Sequence, residues 1–194
     1  PVAVAGLNSG TAGRALRQNE DEEKLTPLER AQIIDAQALH LGGTTDRLRG
    51  NPTAAKSAQI AGLNDALKVR DGRVTSIIRL RSQMLGEIAL AEEALGNIAE
   101  AEARFVESVN LLGTEYPETA ALASARARHA AFMVRQGRKD EALALYRTVV
   151  GAMAAQRRTL TGMTNQMAPY FRLLTERAGS DPAAIGDFFV ASQL

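Results

Sequence analysis

Apolar side chains recur along most of the chain at the three- and four-residue spacing of amphipathic helices rather than at the alternation of strands. In the stretch 74–95 the apolar positions include Ile77, Ile78, Leu80, Met84, Leu85, Ile88 and Leu90. Capping residues, glycines and prolines divide the pattern into eight predicted helices that begin near residues 27, 52, 74, 99, 118, 139, 160 and 182. The chain is therefore predicted to be all-α.

Two local signals sharpen these boundaries. Thr26, Pro27 and Glu29 are spaced as a capping box with proline at the first helical position. Pro169 falls inside the predicted seventh helix and removes one backbone hydrogen bond. It predicts either the true start of that helix or a bend near residues 167–170.

A second, longer pattern overlies the first. Four copies of a glycine followed five residues later by alanine recur at a near-constant spacing, and in three of them an aromatic residue lies four positions beyond. The copies are Gly50/Ala55/Gln59, Gly96/Ala101/Phe105, Gly137/Ala142/Tyr146 and Gly179/Ala184/Phe188. Their glycines are 46, 41 and 42 residues apart. A near-constant period of this size predicts stacked copies of one supersecondary unit. We expect a right-handed α-solenoid of about four helix pairs, over about 26–71, 74–113, 117–157 and 160–194.

These copies resemble tetratricopeptide repeats, and the period of 41–42 is similar to the longer-helix variety found in kinesin light chains. The matching small residues on the first helices are Gly43, Ala89 and Ala130, whereas Arg172 departs from the pattern. Close helix crossings need small side chains at the contact. The resemblance implies a non-enzymatic scaffold that binds a protein or peptide in a concave groove. It covers residues 27–194 and leaves 1–24 as a leader that is partly ordered or caps the first repeat.

A narrower resemblance rests on the stretch from Gly162 to Tyr170 and on the last seven residues, which begin at Phe188. Both are similar to the helical repeats that precede a caspase-like CHAT domain in some bacterial proteins. Such a domain uses a Cys/His pair, and this chain has no cysteine. The alternative function is therefore the regulatory or substrate-recognition arm of a larger cysteine protease, with the catalytic domain beyond Leu194. The last helix also lacks a C-terminal cap, which predicts truncation, and its apolar residues make self-association a third possibility.

Composition narrows the chemistry. Twenty-three basic and 22 acidic residues give a net charge of +1, which argues against a nucleic-acid binder. Apolar runs are too short for a transmembrane helix, and both bacterial cytoplasm and periplasm fit. The stretch from Gly50 to Ser57 has Ala55 where a phosphate-binding loop needs glycine. The two histidines lie in different repeats, and His129 falls at a packing position. We expect no catalysis, cofactor or metal.

Aligning the copies on the turn glycine predicts which side chains line the groove. The set is Gln83, Glu87, Leu90 and Glu93 in the second repeat, Ser124, Arg128, Ala131 and Arg135 in the third, and Tyr170 and Arg177 in the fourth, with His40, Thr44 and Arg47 in the first. One hypothesis is a bipolar groove whose Arg128 and Arg135 bind carboxylates of a ligand. The other is that the glutamates and arginines of adjacent first helices form surface ion pairs with one another.

Overall fold

The computed structural model describes residues 24–160 and 162–194, so the leader prediction for 1–24 falls almost wholly outside the described residues. The described part forms eight α-helices, one 3₁₀ turn at Arg70–Gly72 and no strand. The helices are α1 Pro27–Leu48, α2 Pro52–Lys68, α3 Thr75–Ala94, α4 Ile98–Glu115, α5 Ala120–Arg135, α6 Lys139–Ala155, α7 Thr164–Arg177 and α8 Pro182–Ser192. The all-α prediction is confirmed.

The start of α1 follows the capping signal. Thr26 Oγ1 accepts a hydrogen bond from the Glu29 amide at 3.2 Å, and Glu29 Oε2 accepts one from the Thr26 amide at 2.8 Å. Arg70 Nε donates to Glu29 Oε1 at 2.9 Å, which ties the start of α1 to the turn that follows α2. The Arg70 hydrogen bond, together with the Thr26 amide, lowers the pKa of Glu29 to about 2.

The seventh helix departs from the sequence prediction at its start. It begins at Thr164 rather than near 160, since the Leu160 amide donates to the Leu194 carbonyl at 2.9 Å and Gly162 has a φ of +85°. Pro169 lies inside a helix that runs continuously to Arg177. Pro169 therefore does not begin the helix, and the bend near it stays a prediction.

The same turn ends three of the helices. Gly50, Gly96 and Gly137 have φ values of +82°, +82° and +79°, in the left-handed region that favours glycine. Each glycine amide donates to the carbonyl three residues back, and the next amide donates to the carbonyl five residues back. This is a Schellman motif, and it ends helices at corresponding points of the predicted repeats. Gly179, the fourth predicted turn glycine, is not among the residues with positive φ.

The chain divides into two compact units, one that ends at Asn97 and one that comprises Ile98–Leu194. In the first unit α1 packs against α2, α2 against α3, and α1 also touches α3. Its core includes Ile33, Ala36, Ala66, Ile77 and Met84. The boundary between the units falls within the predicted second repeat, between α3 and α4.

The second unit repeats this order of contacts. Helix α4 packs against α5, α5 against α6 and α7, α6 against α7 and α8, and α7 against α8. Aromatic rings fill its interior: Phe105 lies 5.2 Å from Phe132, and Tyr146 lies 5.0 Å from Tyr170, between ring centroids. Tyr146 also donates from its hydroxyl to the Gln166 carbonyl at 2.7 Å.

The crossing of α1 and α2 is close enough to exclude a side chain. A Cβ on Gly43 would lie 2.8 Å from Gln59 Nε2, 3.0 Å from the Ala55 carbonyl oxygen and 3.1 Å from Ala58 Cβ. A Cβ on Gly42, one residue earlier in the same helix, would meet nothing within 4 Å. A side chain at Gly43 would therefore clash with α2, whereas one at Gly42 has open space around it. The two adjacent glycines provide a matched pair of substitutions.

We expect Gly43→Ala to lower the free energy of unfolding by about 1–3 kcal/mol, because α1 and α2 must separate to admit the methyl group. Gly42→Ala should raise it by about 0.5–1 kcal/mol, since alanine is the better helix former at an open site. Urea denaturation of the two variants and the parent measures both changes. Equal effects of the two substitutions would contradict the close crossing.

Candidate functional site

A polar cleft lies between the first helices of the first unit. Its volume is about 350 Å³. Side chains of α1 and α3 line it: Gln37, His40 and Leu41 on one wall and Ser76, Arg79, Leu80 and Gln83 on the other. Hydrogen-bonding groups thus line the cleft together with two leucines. This is the kind of lining that fixes the orientation of a ligand while burying part of its apolar surface.

The ring of His40 is oriented by Gln59 of α2, whose side chain is fully buried. Gln59 Nε2 donates to the His40 carbonyl at 2.9 Å, and Gln59 Oε1 lies 2.9 Å from His40 Nδ1. A carbonyl oxygen only accepts hydrogen bonds, so the amide nitrogen must face it and the amide oxygen must face the ring. Nδ1 therefore carries a proton, and Nε2 of the neutral ring is left as an acceptor.

Two glutamates of α3 are neutralised by cations from the preceding helix pair. Arg47 Nε of α1 donates to Glu87 Oε2 at 2.7 Å, and Lys56 Nζ of α2 lies 2.7 Å from Glu92 Oε1. Both glutamates are buried, and Glu92 also accepts from Asn97 Nδ2 at 2.8 Å. Ion pairing across adjacent first helices thus occurs between Arg47 and Glu87.

The structure separates the predicted groove residues of the second repeat by depth. Gln83 is exposed and lines the cleft, Leu90 and Glu93 are half-buried, and Glu87 is buried in its ion pair. Sequence reasoning missed Arg79 and Ser76, which lie four and seven residues before Gln83 and so share its helix face. Helical spacing could have identified both residues, because continuing the predicted face of α3 by one or two turns towards its start reaches them.

The predicted residues of the second unit also divide by depth. Ser124 and Arg128 of α5 are half-buried and Arg135 is exposed, whereas Ala131 is buried. Tyr170 of α7 is buried with its ring against Tyr146, so it is a packing residue in this unit and offers no surface to a ligand. Arg177 forms an ion pair with Asp140 of α6.

His129 is buried in a cluster of rings and charges. Its ring stacks on Phe105 with centroids 6.0 Å apart, and its Nε2 lies 3.9 Å from Glu102 Oε1, too far for a hydrogen bond. Arg138 donates to that same Glu102 oxygen at 2.6 Å and binds Glu141 through two nitrogens. Burial lowers the pKa of His129, an effect that the Glu102 charge partly opposes. The position of His129 in the packing agrees with the sequence prediction.

Helix α8 exposes an apolar surface, as its sequence predicts. Ile185, Phe188, Phe189 and Val190 are all exposed, and Phe189 has 66% of its surface open. A cavity of about 370 Å³ lies between this helix and α7, with Leu174, Ile185 and Phe188 among its lining residues. Self-association through α8 stays a prediction.

Within residues 24–160 and 162–194, no three His, Cys, Asp or Glu side chains are placed to hold a metal ion together. None of the helices described there is both long and apolar enough to cross a bilayer. No protein-family model matches the chain, and no curated protein is significantly similar to it.

The buried His129 predicts a pH dependence of stability. A histidine with a folded-state pKa below the ordinary 6.5 binds fewer protons when folded, so stability falls as the pH drops through 6.5. His129→Phe keeps a ring against Phe105 and removes the titrating group. We expect the free energy of unfolding of the parent to decline between pH 7 and pH 5, and that of the variant to decline less.

The measurement is chemical denaturation at several pH values for both chains. The charged neighbours Glu102, Arg138 and Glu141 remain in each, so the difference isolates the histidine. Parallel pH profiles for the two chains would show that the ring can be protonated in place without cost.

Proposed function

We propose that this chain is a non-enzymatic scaffold whose first helices bind a peptide segment of another protein, and that its helix pairs stack as a solenoid. The solenoid is supported by the order of helix contacts within each unit and by the recurring glycine turn. The observation that carries the binding proposal is the cleft between α1 and α3, which offers amide, hydroxyl, imidazole and guanidinium groups beside two leucines.

The lining of this cleft supports a specific ligand chemistry. Gln37 and Gln83 carry both donors and acceptors and can pair with the amides of a peptide backbone. Arg79 is exposed and suits a carboxylate, for which its planar guanidinium provides two parallel donors. Leu41 and Leu80 would bury one apolar side chain of the ligand. The proposed ligand is therefore a peptide with an acidic residue next to an apolar one.

A second contact region is proposed on α5 of the second unit. Arg128 and Arg135 are seven residues apart, so they share one face of the helix about 10.5 Å apart along its axis. Carboxylates seven residues apart on one face of a helical ligand have that separation. In an extended peptide, which rises about 3.3 Å per residue, side chains three residues apart match the distance but point to opposite faces. The spacing therefore favours a helical ligand at this region.

The cleft can be tested with peptides selected from a random library on the immobilised full chain. We expect the selected peptides to lose at least about tenfold in affinity for Arg79→Ala and for Gln83→Ala, since each change removes a hydrogen-bonding group from the binding site. Arg73→Ala is the matched control, because Arg73 is exposed just before α3 and does not line the cleft. Fluorescence anisotropy measures the affinities, and thermal melts verify folding. Peptides that bind all three variants equally, or no enrichment at all, would refute the proposal.

For the second region, Arg128→Ala and Arg135→Ala should weaken acidic peptides and leave the melting temperature nearly unchanged. The affinity of the parent should fall as salt is added, because screened charges attract less. Arg104→Ala removes an arginine from an exposed pair with Glu107 on α4 and serves as the control. A large fall in melting temperature for the α5 variants would instead assign those arginines to structural ion pairs.

A further inference from the structure

Helix α1 carries an exposed apolar seam with the spacing of a coiled coil. Ala31, Ile34, Ala38, Leu41, Thr45 and Leu48 follow one another at intervals of three and four residues. All six are exposed, and the three large side chains keep between 63% and 73% of their surface open. Thr45 donates its hydroxyl to the Leu41 carbonyl at 2.9 Å, so its methyl group is what remains for packing. We call this set the α1 seam.

The α1 seam lies on the side of the helix opposite the residues packed against α2, and its member Leu41 borders the cleft between α1 and α3. The buried residues Ile33, Ala36 and Gly43 are each two positions after a seam residue. Two positions on an α-helix correspond to a rotation of about 200°. A second helix could therefore dock along the seam without displacing α2 or α3.

The residues of the seam complement themselves when the helix is reversed. Small residues (Ala31, Ala38 and Thr45) alternate with large ones (Ile34, Leu41 and Leu48). An antiparallel copy places Ala31 against Leu48, Ile34 against Thr45 and Ala38 against Leu41, so each layer pairs a small side chain with a large one. Such alternation is what lets facing layers interdigitate at native density. No seam residue is charged, so reversal brings no like charges together within the seam.

We propose that two copies of this chain associate through antiparallel pairing of their α1 seams. The seam runs over 18 residues, about 25 Å of helix. Leu28, which is 69% exposed, widens it near its first residue. With Leu28, two copies bring eight large aliphatic side chains to the contact, and their open surface comes to roughly 1,000 Å², the area that a specific interface needs. The apolar face of α8 is the competing surface, and it is shorter, since its four large residues lie within positions 185–190.

Cross-linking tests the antiparallel geometry in the full chain, which contains no cysteine of its own. Ala38→Cys places a thiol near the proposed two-fold axis, and a short bis-maleimide should join two copies in high yield. Ala31→Cys places the thiols about 25 Å apart across the pair and should not be joined. Ala61→Cys, an exposed position on α2, is the control for random collision. Linking of both seam variants would indicate parallel pairing and overturn the proposal.

Sedimentation velocity over micromolar to millimolar concentrations tests the association itself. The parent should form a dimer, and Ile34→Glu should weaken it at least about tenfold because a carboxylate would be buried in the contact. Ile60→Glu makes the same change at an exposed position of α2 and should leave the dimer intact. A monomeric parent at every concentration overturns the proposal. A dimer that Phe189→Glu abolishes and Ile34→Glu does not would assign the contact to α8 instead.

Discussion

The architecture depends on the close approach of paired helices, and in the first unit that approach is set by glycines that leave no room for a Cβ. Gly43 lies against Ala55 and Gln59, and Gly62 lies against Ala36 and Met84. With helices this close, α2 also brings Gln59 within reach of His40 and so orients a side chain of the cleft. The packing constraint and the candidate site are therefore the same piece of structure. A wider crossing would lose both.

Most of the fold was predictable because it is encoded in short-range periodicity. The alanines five residues after each repeat glycine (Ala55, Ala101, Ala142 and Ala184) are all buried, as close crossings require. The aromatic positions are less uniform: Phe105 and Tyr146 are buried, whereas Phe188 is exposed. Features that the repeat period does not predict, such as helix boundaries, depend on long-range contacts. The start of α7 depends on a hydrogen bond between Leu160 and Leu194, and no local sequence pattern indicates that bond.

The sequence indicates which helix face the candidate-site residues share but not how deeply each side chain is buried. Helical spacing selected Gln83, which lines the cleft, yet it gave the same status to Glu87, only one turn further on. Glu87 is buried because Arg47, 40 residues earlier in the chain, donates to it. Tyr170 is likewise buried because Tyr146 of another helix covers its ring. The spacing of one helix does not state what its neighbours cover, so depth needed the three-dimensional contacts.

The ion pairs of the two buried glutamates, whose cations are partly exposed, bear on what the cleft can recognise. Removing two charges from water costs free energy that their mutual attraction largely offsets, so such pairs add little net stability. The Arg47–Glu87 and Lys56–Glu92 ion pairs do fix the position of α3 along the preceding helices, since each joins α3 to a residue of α1 or α2. They also neutralise acidic groups that would otherwise repel an acidic ligand. The cleft thus presents Arg79 together with hydrogen-bonding amides, and the proposed preference for an acidic peptide rests on charges that the fold has already neutralised.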